Sequence, residues 1–113
     1  MTLDYAVERL YETGWSAEGE HELETLEDGR KFPSVSSVQK QFAQAGLKLS
    51  IKQNIMFNCY HAAWSGGDSS TRQRGTVIGA SESEAAVYAL AQLRQTMGMN
   101  AVASQYAGLA LAH

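Results

Sequence analysis

A single cysteine, Cys59, and a single proline, Pro33, stand in this chain of 113 residues. One cysteine excludes an internal disulfide, which suits a reducing cytoplasm. No stretch approaches the roughly 20 apolar residues that span a bilayer, so no membrane segment is expected. The N-terminus opens on Asp4, Glu8 and Glu12 rather than on a basic and then apolar run, which argues against a signal peptide. Chemistry is just as sparse. The run Gly66-Gly67-Asp68-Ser69-Ser70-Thr71 lacks the lysine of a phosphate-binding loop, and no serine sits in a nucleophile elbow. The three histidines and Cys59 do not fall at the spacing of a zinc site. Neither an enzyme nor a cofactor is therefore expected.

What the chain does have is charge sorted along its length. Residues 1–29 hold nine carboxylates against Arg9 alone, a net of −8. Residues 30–79 hold seven bases (Arg30, Lys31, Lys40, Lys48, Lys52, Arg72 and Arg74) against Asp68, a net of +6. The remainder adds Arg94 against Glu82 and Glu84, which closes the balance at −3. Sorting of this kind marks a nucleic-acid surface, a self-complementary assembly or two solvated faces.

The apolar pattern predicts an α+β domain over residues 1–98. Leu3, Ala6, Val7, Leu10 and Tyr11 repeat at helical steps, with Thr2 placed to cap the helix and Gly14 to stop it. Over residues 20–33 the Asp28-Gly29 pair predicts a type I′ hairpin between two short strands, while Leu23 and Leu26 would also suit a helical turn. Ser34 caps a second helix carrying Val35, Val38, Phe42 and Ala45, which Gly46 ends. Leu47, Leu49 and Ile51 then alternate with Lys48, Ser50 and Lys52, the period of a half-buried strand. Gln53-Asn54 is expected to turn the chain, with Asn54 at positive φ, into a central strand from Ile55 to Trp64. An exposed loop follows over residues 65–70, and a third strand is expected from about Thr71 to Ile78. Ser81 and Glu84 form a capping box for a last helix that buries Ala86, Leu90, Leu93 and Met97. Residues 99–113 suit a docked helix or a flexible tail.

From Ser34 to Met97 the order is helix, three strands, helix, and Gly79-Ala80-Ser81 leads into Ala85, Ala86, Ala89 and Leu90. In that order and that entry the chain resembles the double-stranded-RNA-binding domain. The resemblance implies both helices packed on one face of a three-stranded antiparallel sheet. It also implies lysines at the start of the last helix, where backbone donors and the dipole favour phosphate. This chain has Glu82, Ser83 and Glu84 there, and only Gln53-Asn54 where the family carries a histidine-containing loop. The departures disfavour duplex RNA as a ligand.

Three constellations remain. Cys59 and His61 share one side of a strand, most simply as a packed thiol and a core or edge histidine. Tyr60 and Trp64, with Trp15 and Phe57, would make a base-stacking platform if they shared a face with Lys48, Lys52, Arg72 and Arg74. That convergence depends on strand register. Finally, the acidic first block would complement a basic sheet face, in the same subunit or a second one, with Met56, Tyr60 and Trp64 as an apolar contact. The expected role is a non-catalytic protein-interaction or regulatory module, cytoplasmic and homodimeric. The alternative is a nucleic-acid-binding accessory domain using the basic face.

Overall fold

The computed structural model describes residues 2–20, 22–67 and 73–96. Helix α1 (Leu3–Glu12) leads to a hairpin of β1 (Leu23–Thr25) and β2 (Lys31–Pro33), then to α2 (Val35–Gln44). Strands β3 (Leu47–Asn54), β4 (Cys59–Gly66) and β5 (Gln73–Gly79) follow, and helix α3 covers residues 82–96. The fold is α+β, with β4 central in the antiparallel order β3-β4-β5 and a separate two-stranded sheet, β1-β2. Arg72, the expected strand start at Thr71, Met97 and the tail over residues 99–113 lie outside the described residues.

Local chemistry sets each helix end. The Thr2 hydroxyl accepts from the Tyr5 N–H at 3.3 Å, and the Ser34 hydroxyl from the Ser37 N–H at 3.2 Å. Both satisfy donors that a helix start leaves without a partner. Gly46, at φ +78°, takes the left-handed conformation that lets the chain leave α2 and enter β3 at once. At α3, the Ser81 hydroxyl accepts from the Glu84 N–H at 3.1 Å, and the Glu84 carboxylate accepts from the Ala80 N–H. This is the expected capping box, with the carboxylate reaching one residue further back.

All three helices lie on one side of the sheet. Leu47, Leu49, Ala62, Trp64 and Val77 point from the sheet into a core shared with Val7 and Leu10 of α1, Val38 and Phe42 of α2, and Ala86, Leu90 and Leu93 of α3. Each large apolar side chain so buried contributes about 1.5–3 kcal/mol. Trp64 meets Phe42 edge-on with ring centroids 5.5 Å apart. Helix α1 rests on α3: the Tyr5 and Tyr88 rings stack at 6.3 Å, and Arg94 Nε donates to Thr13 Oγ1 at 2.9 Å. The Tyr11 hydroxyl ties α1 to the hairpin, donating to the Lys31 carbonyl at 2.6 Å and accepting from its N–H at 3.1 Å.

Two turns differ from expectation. The β1-β2 hairpin is present, but positive φ falls on Gly29 alone and not on Asp28. The Gly29 N–H bonds the Leu26 carbonyl at 3.0 Å and the Leu26 N–H bonds the Arg30 carbonyl at 2.8 Å, so the loop is longer than a two-residue type I′ turn. Asp28 earns its place differently, accepting from the Arg30 backbone N–H at 3.0 Å. In the main sheet the turn is not Gln53-Asn54, which still belong to β3. It is Ile55–Asn58, with Asn58 rather than Asn54 at positive φ (49°). The pairs Leu49↔Trp64 and Ile51↔Ala62 hold the inward residues of both strands opposite one another, so the strands extend to Asn54↔Cys59 before the chain can reverse.

Candidate interaction surface

The sheet has a second face, and no described element covers it. By register, its rows run Lys48–Ser65–Arg74, then Ser50–Ala63–Thr76, then Lys52–His61–Ile78, with Asn54 and Cys59 completing the hairpin end. Antiparallel partners directly opposite one another point to the same side, so each row crosses one face. Lys48, Lys52 and Arg74 are all exposed on it. At ordinary sheet spacings, Lys48 lies about 13 Å from Lys52 along β3 and about 10 Å from Arg74 across the strands. The centre between them is small and neutral: Ser50, Ala63, Ser65 and Thr76. No carboxylate stands in these rows, and among the described residues none lies within ion-pair distance of the three cations.

The aromatic residues are elsewhere. Tyr60 and Trp64 occupy the alternate positions of β4 and point into the helix side, where Trp64 is only 9% exposed. Trp15 is buried as well, against Tyr11 with ring centroids 5.6 Å apart. The stacking platform expected of Tyr60 and Trp64 beside the cations therefore does not form, because alternation along β4 separates them from the cations' face. Met56 likewise does not share a strand face with Tyr60 and Trp64; it belongs to the turn.

That turn carries a feature the pattern of apolar residues concealed. Ile55, Met56 and Phe57 are 82%, 89% and 75% exposed at the hairpin tip. An uninterrupted apolar run reads as a buried strand, but here Asn54 and Asn58 bracket it. Asn54 Oδ1 accepts from the Phe57 N–H at 3.3 Å, and the Asn58 N–H reaches the Ile55 carbonyl at 3.3 Å. Two asparagines four apart were the available signal.

The N-terminus of α3 is the other place where an anion could sit. One of its first donors, the Glu84 N–H, is taken by the Ser81 hydroxyl. The Glu84 side chain is 2% exposed and folded back onto the Ala80 N–H, and Glu82 stands exposed beside it. Cys59 and His61 are half-buried on the open face, beside Asn54 and Lys52, and no carboxylate in these rows orients the imidazole. Among the described residues, no three His, Cys, Asp or Glu side chains are placed to hold a metal ion, and no helix is long and apolar enough to cross a membrane.

Ion pairs within the chain sharpen its charge pattern. Arg30 meets Asp28 at 2.9 Å and Asp4 at 3.8 Å, Lys40 meets Glu22 at 3.0 Å, and Arg9 meets Glu12 at 2.9 Å. Hydrogen bonds from the Arg30 backbone and guanidinium hold the Asp28 carboxyl below its ordinary pKa, against a smaller opposing effect of desolvation. These pairs use Arg9 of the acidic block and Arg30 and Lys40 of the basic one. Glu8, Glu18, Glu20, Glu24 and Glu27 keep no ion partner among the described residues. The residual charge is thus acidic on the helix and hairpin side and basic on the open sheet face. In comparisons with known proteins, no family model, curated protein or solved structure matches this chain.

Proposed function

We propose that this chain is a non-catalytic interaction module, acting in the cytoplasm, whose open sheet face binds an acidic protein surface. The observation that carries this reading is the convergence of Lys48, Lys52 and Arg74 on one uncovered face without a carboxylate in its rows. Such a face gives orientation and a fast approach to a complementary partner more than it gives raw affinity. A flat centre of Ser50, Ala63 and Thr76 accepts a helix or a strand without steric obstruction.

Nucleic acid is the alternative partner, favoured by the same convergence of cations. Two features weigh against it. Single strands need aromatic side chains beside the cations, and Tyr60 and Trp64 lie on the opposite face. Duplex RNA in the manner of the resembling domain needs lysines at the start of the last helix, and Glu82 and Glu84 put carboxylates there.

Amide chemical-shift mapping separates these partners. Titration with poly-glutamate is expected to move the amides of Lys48, Lys52 and Arg74, and to leave those of α1 in place. Duplex RNA and single-stranded DNA are expected to give no mobility shift at low salt. A nucleic-acid shift that weakens with salt and with Lys48→Ala and Arg74→Ala would replace the protein partner with nucleic acid.

A further inference from the structure

We infer that the acidic partner of the open sheet face is a second copy of this chain, seated head to tail. The inference rests on the binding face proposed above and names its occupant. Complementary charges sit on opposite sides of the fold, because α1 and the hairpin pack on the helix side while Lys48, Lys52 and Arg74 point away from it. Ion pairs inside the chain cannot join them, since the sheet and its core lie between. Glu8 on α1 and Glu24 and Glu27 on the hairpin are exposed and keep no ion partner among the described residues. They supply the anions that the open face lacks among the described residues.

This placement also dictates the symmetry. A two-fold contact through the open face would set Lys48, Lys52 and Arg74 against the same three cations of the other copy, and like charges across a contact are unfavourable. A two-fold contact that paired each basic face with an acidic layer would need both patches on one side of the molecule. They are on opposite sides, so the contact is heterologous: each copy offers one basic and one acidic surface, and association continues unless a ring closes. The homodimer expected from the sequence gives way, in this proposal, to an open or cyclic series.

The test is sedimentation velocity with two charge-neutralised proteins. The face variant carries Lys48→Gln, Lys52→Gln and Arg74→Gln; the layer variant carries Glu8→Gln, Glu24→Gln and Glu27→Gln. All six positions are exposed, and circular dichroism checks that both variants fold. Wild type is expected to grow in mass with concentration at about 50 mM salt. Association should weaken at least about tenfold at about 500 mM, where the screening length falls to roughly 4 Å. Each variant alone is expected to be monomeric. Their equimolar mixture should form a dimer and nothing larger, since one intact basic face and one intact acidic layer remain. A wild type that stays monomeric, variants that still associate alone, or a mixture that does not pair would overturn the inference. If poly-glutamate still moves the Lys48, Lys52 and Arg74 amides in that case, only the second copy is lost as occupant. If it does not, the binding face falls too.

Discussion

Replacing Gly75 by alanine tests how the sheet holds its central aromatic side chain. Gly75 lies opposite Trp64 in the β4-β5 register, and the indole lies across the space where a side chain would be. A Cβ at Gly75 would come within 2.6 Å of Trp64 Cε2 and 2.9 Å of Cη2, and closer still to Cζ2. Three ring atoms must then move together, while Phe42 blocks the ring on its helix side. Two effects oppose each other. Removing glycine from a strand ordinarily stabilises by about 0.4–1 kcal/mol, because the unfolded chain loses freedom. Overpacking a closed core costs about 1–3 kcal/mol, and here the whole indole must give rather than one flexible end. The clash wins, for a net loss of about 1–2 kcal/mol, or about 4–12 °C in Tm for a domain of this size. The assay is urea unfolding followed by circular dichroism, run as a double-mutant cycle with Trp64→Leu. In the Trp64→Leu background the ring is absent, so Gly75→Ala should become neutral or slightly stabilising, a coupling of at least about 1 kcal/mol. Gly75→Ala as stable as wild type, or effects that simply add, would refute the packing described here.

Two further expectations follow from single contacts. Glu84→Ala removes the acceptor for the Ala80 N–H and leaves space where a buried side chain was, so stability should fall by about 1–2 kcal/mol. Glu84→Gln keeps an acceptor and should lose less; equal losses in urea midpoints would show that the cap is not the cause. Asp28 has a folded-state pKa below its ordinary value, so its bonds to Arg30 stabilise above the unfolded carboxyl pKa and are lost as pH falls through the folded one. Carboxyl carbon NMR should place its midpoint below the usual aspartate range. Arg30→Ala should raise that midpoint only part of the way, because the backbone N–H at position 30 remains; a midpoint at or above the usual range in wild type would contradict the geometry.

The parts of this fold that were legible in the sequence depend on neighbours along the chain. Thr2, Ser34 and Ser81 cap their helices as their types and positions suggest, because a cap is settled within three or four residues. The alternation from Leu47 to Lys52 gave the faces of β3, because side chains on a strand point to opposite sides in turn. The same parity held in β4 although its start did not. Apolar Ile55, Met56 and Phe57 satisfied the local criteria for a strand, and only the flanking Asn54 and Asn58 pointed to a turn in the solvent.

For function the division is sharper. The nine carboxylates of residues 1–29 and the seven bases of residues 30–79 could be counted without a structure. Sequence alone thus determined that the chain is electrically sorted, that it is α+β, and where its helices start. The tertiary structure decided that Lys48, Lys52 and Arg74 share one open face, that Tyr60 and Trp64 do not join them, and that the acidic layer sits on the far side. Those outcomes rest on register across β3, β4 and β5. Register is chosen by contacts between residues distant in the chain, above all by Trp64 packed between Phe42 and Gly75, and no local rule contains that choice.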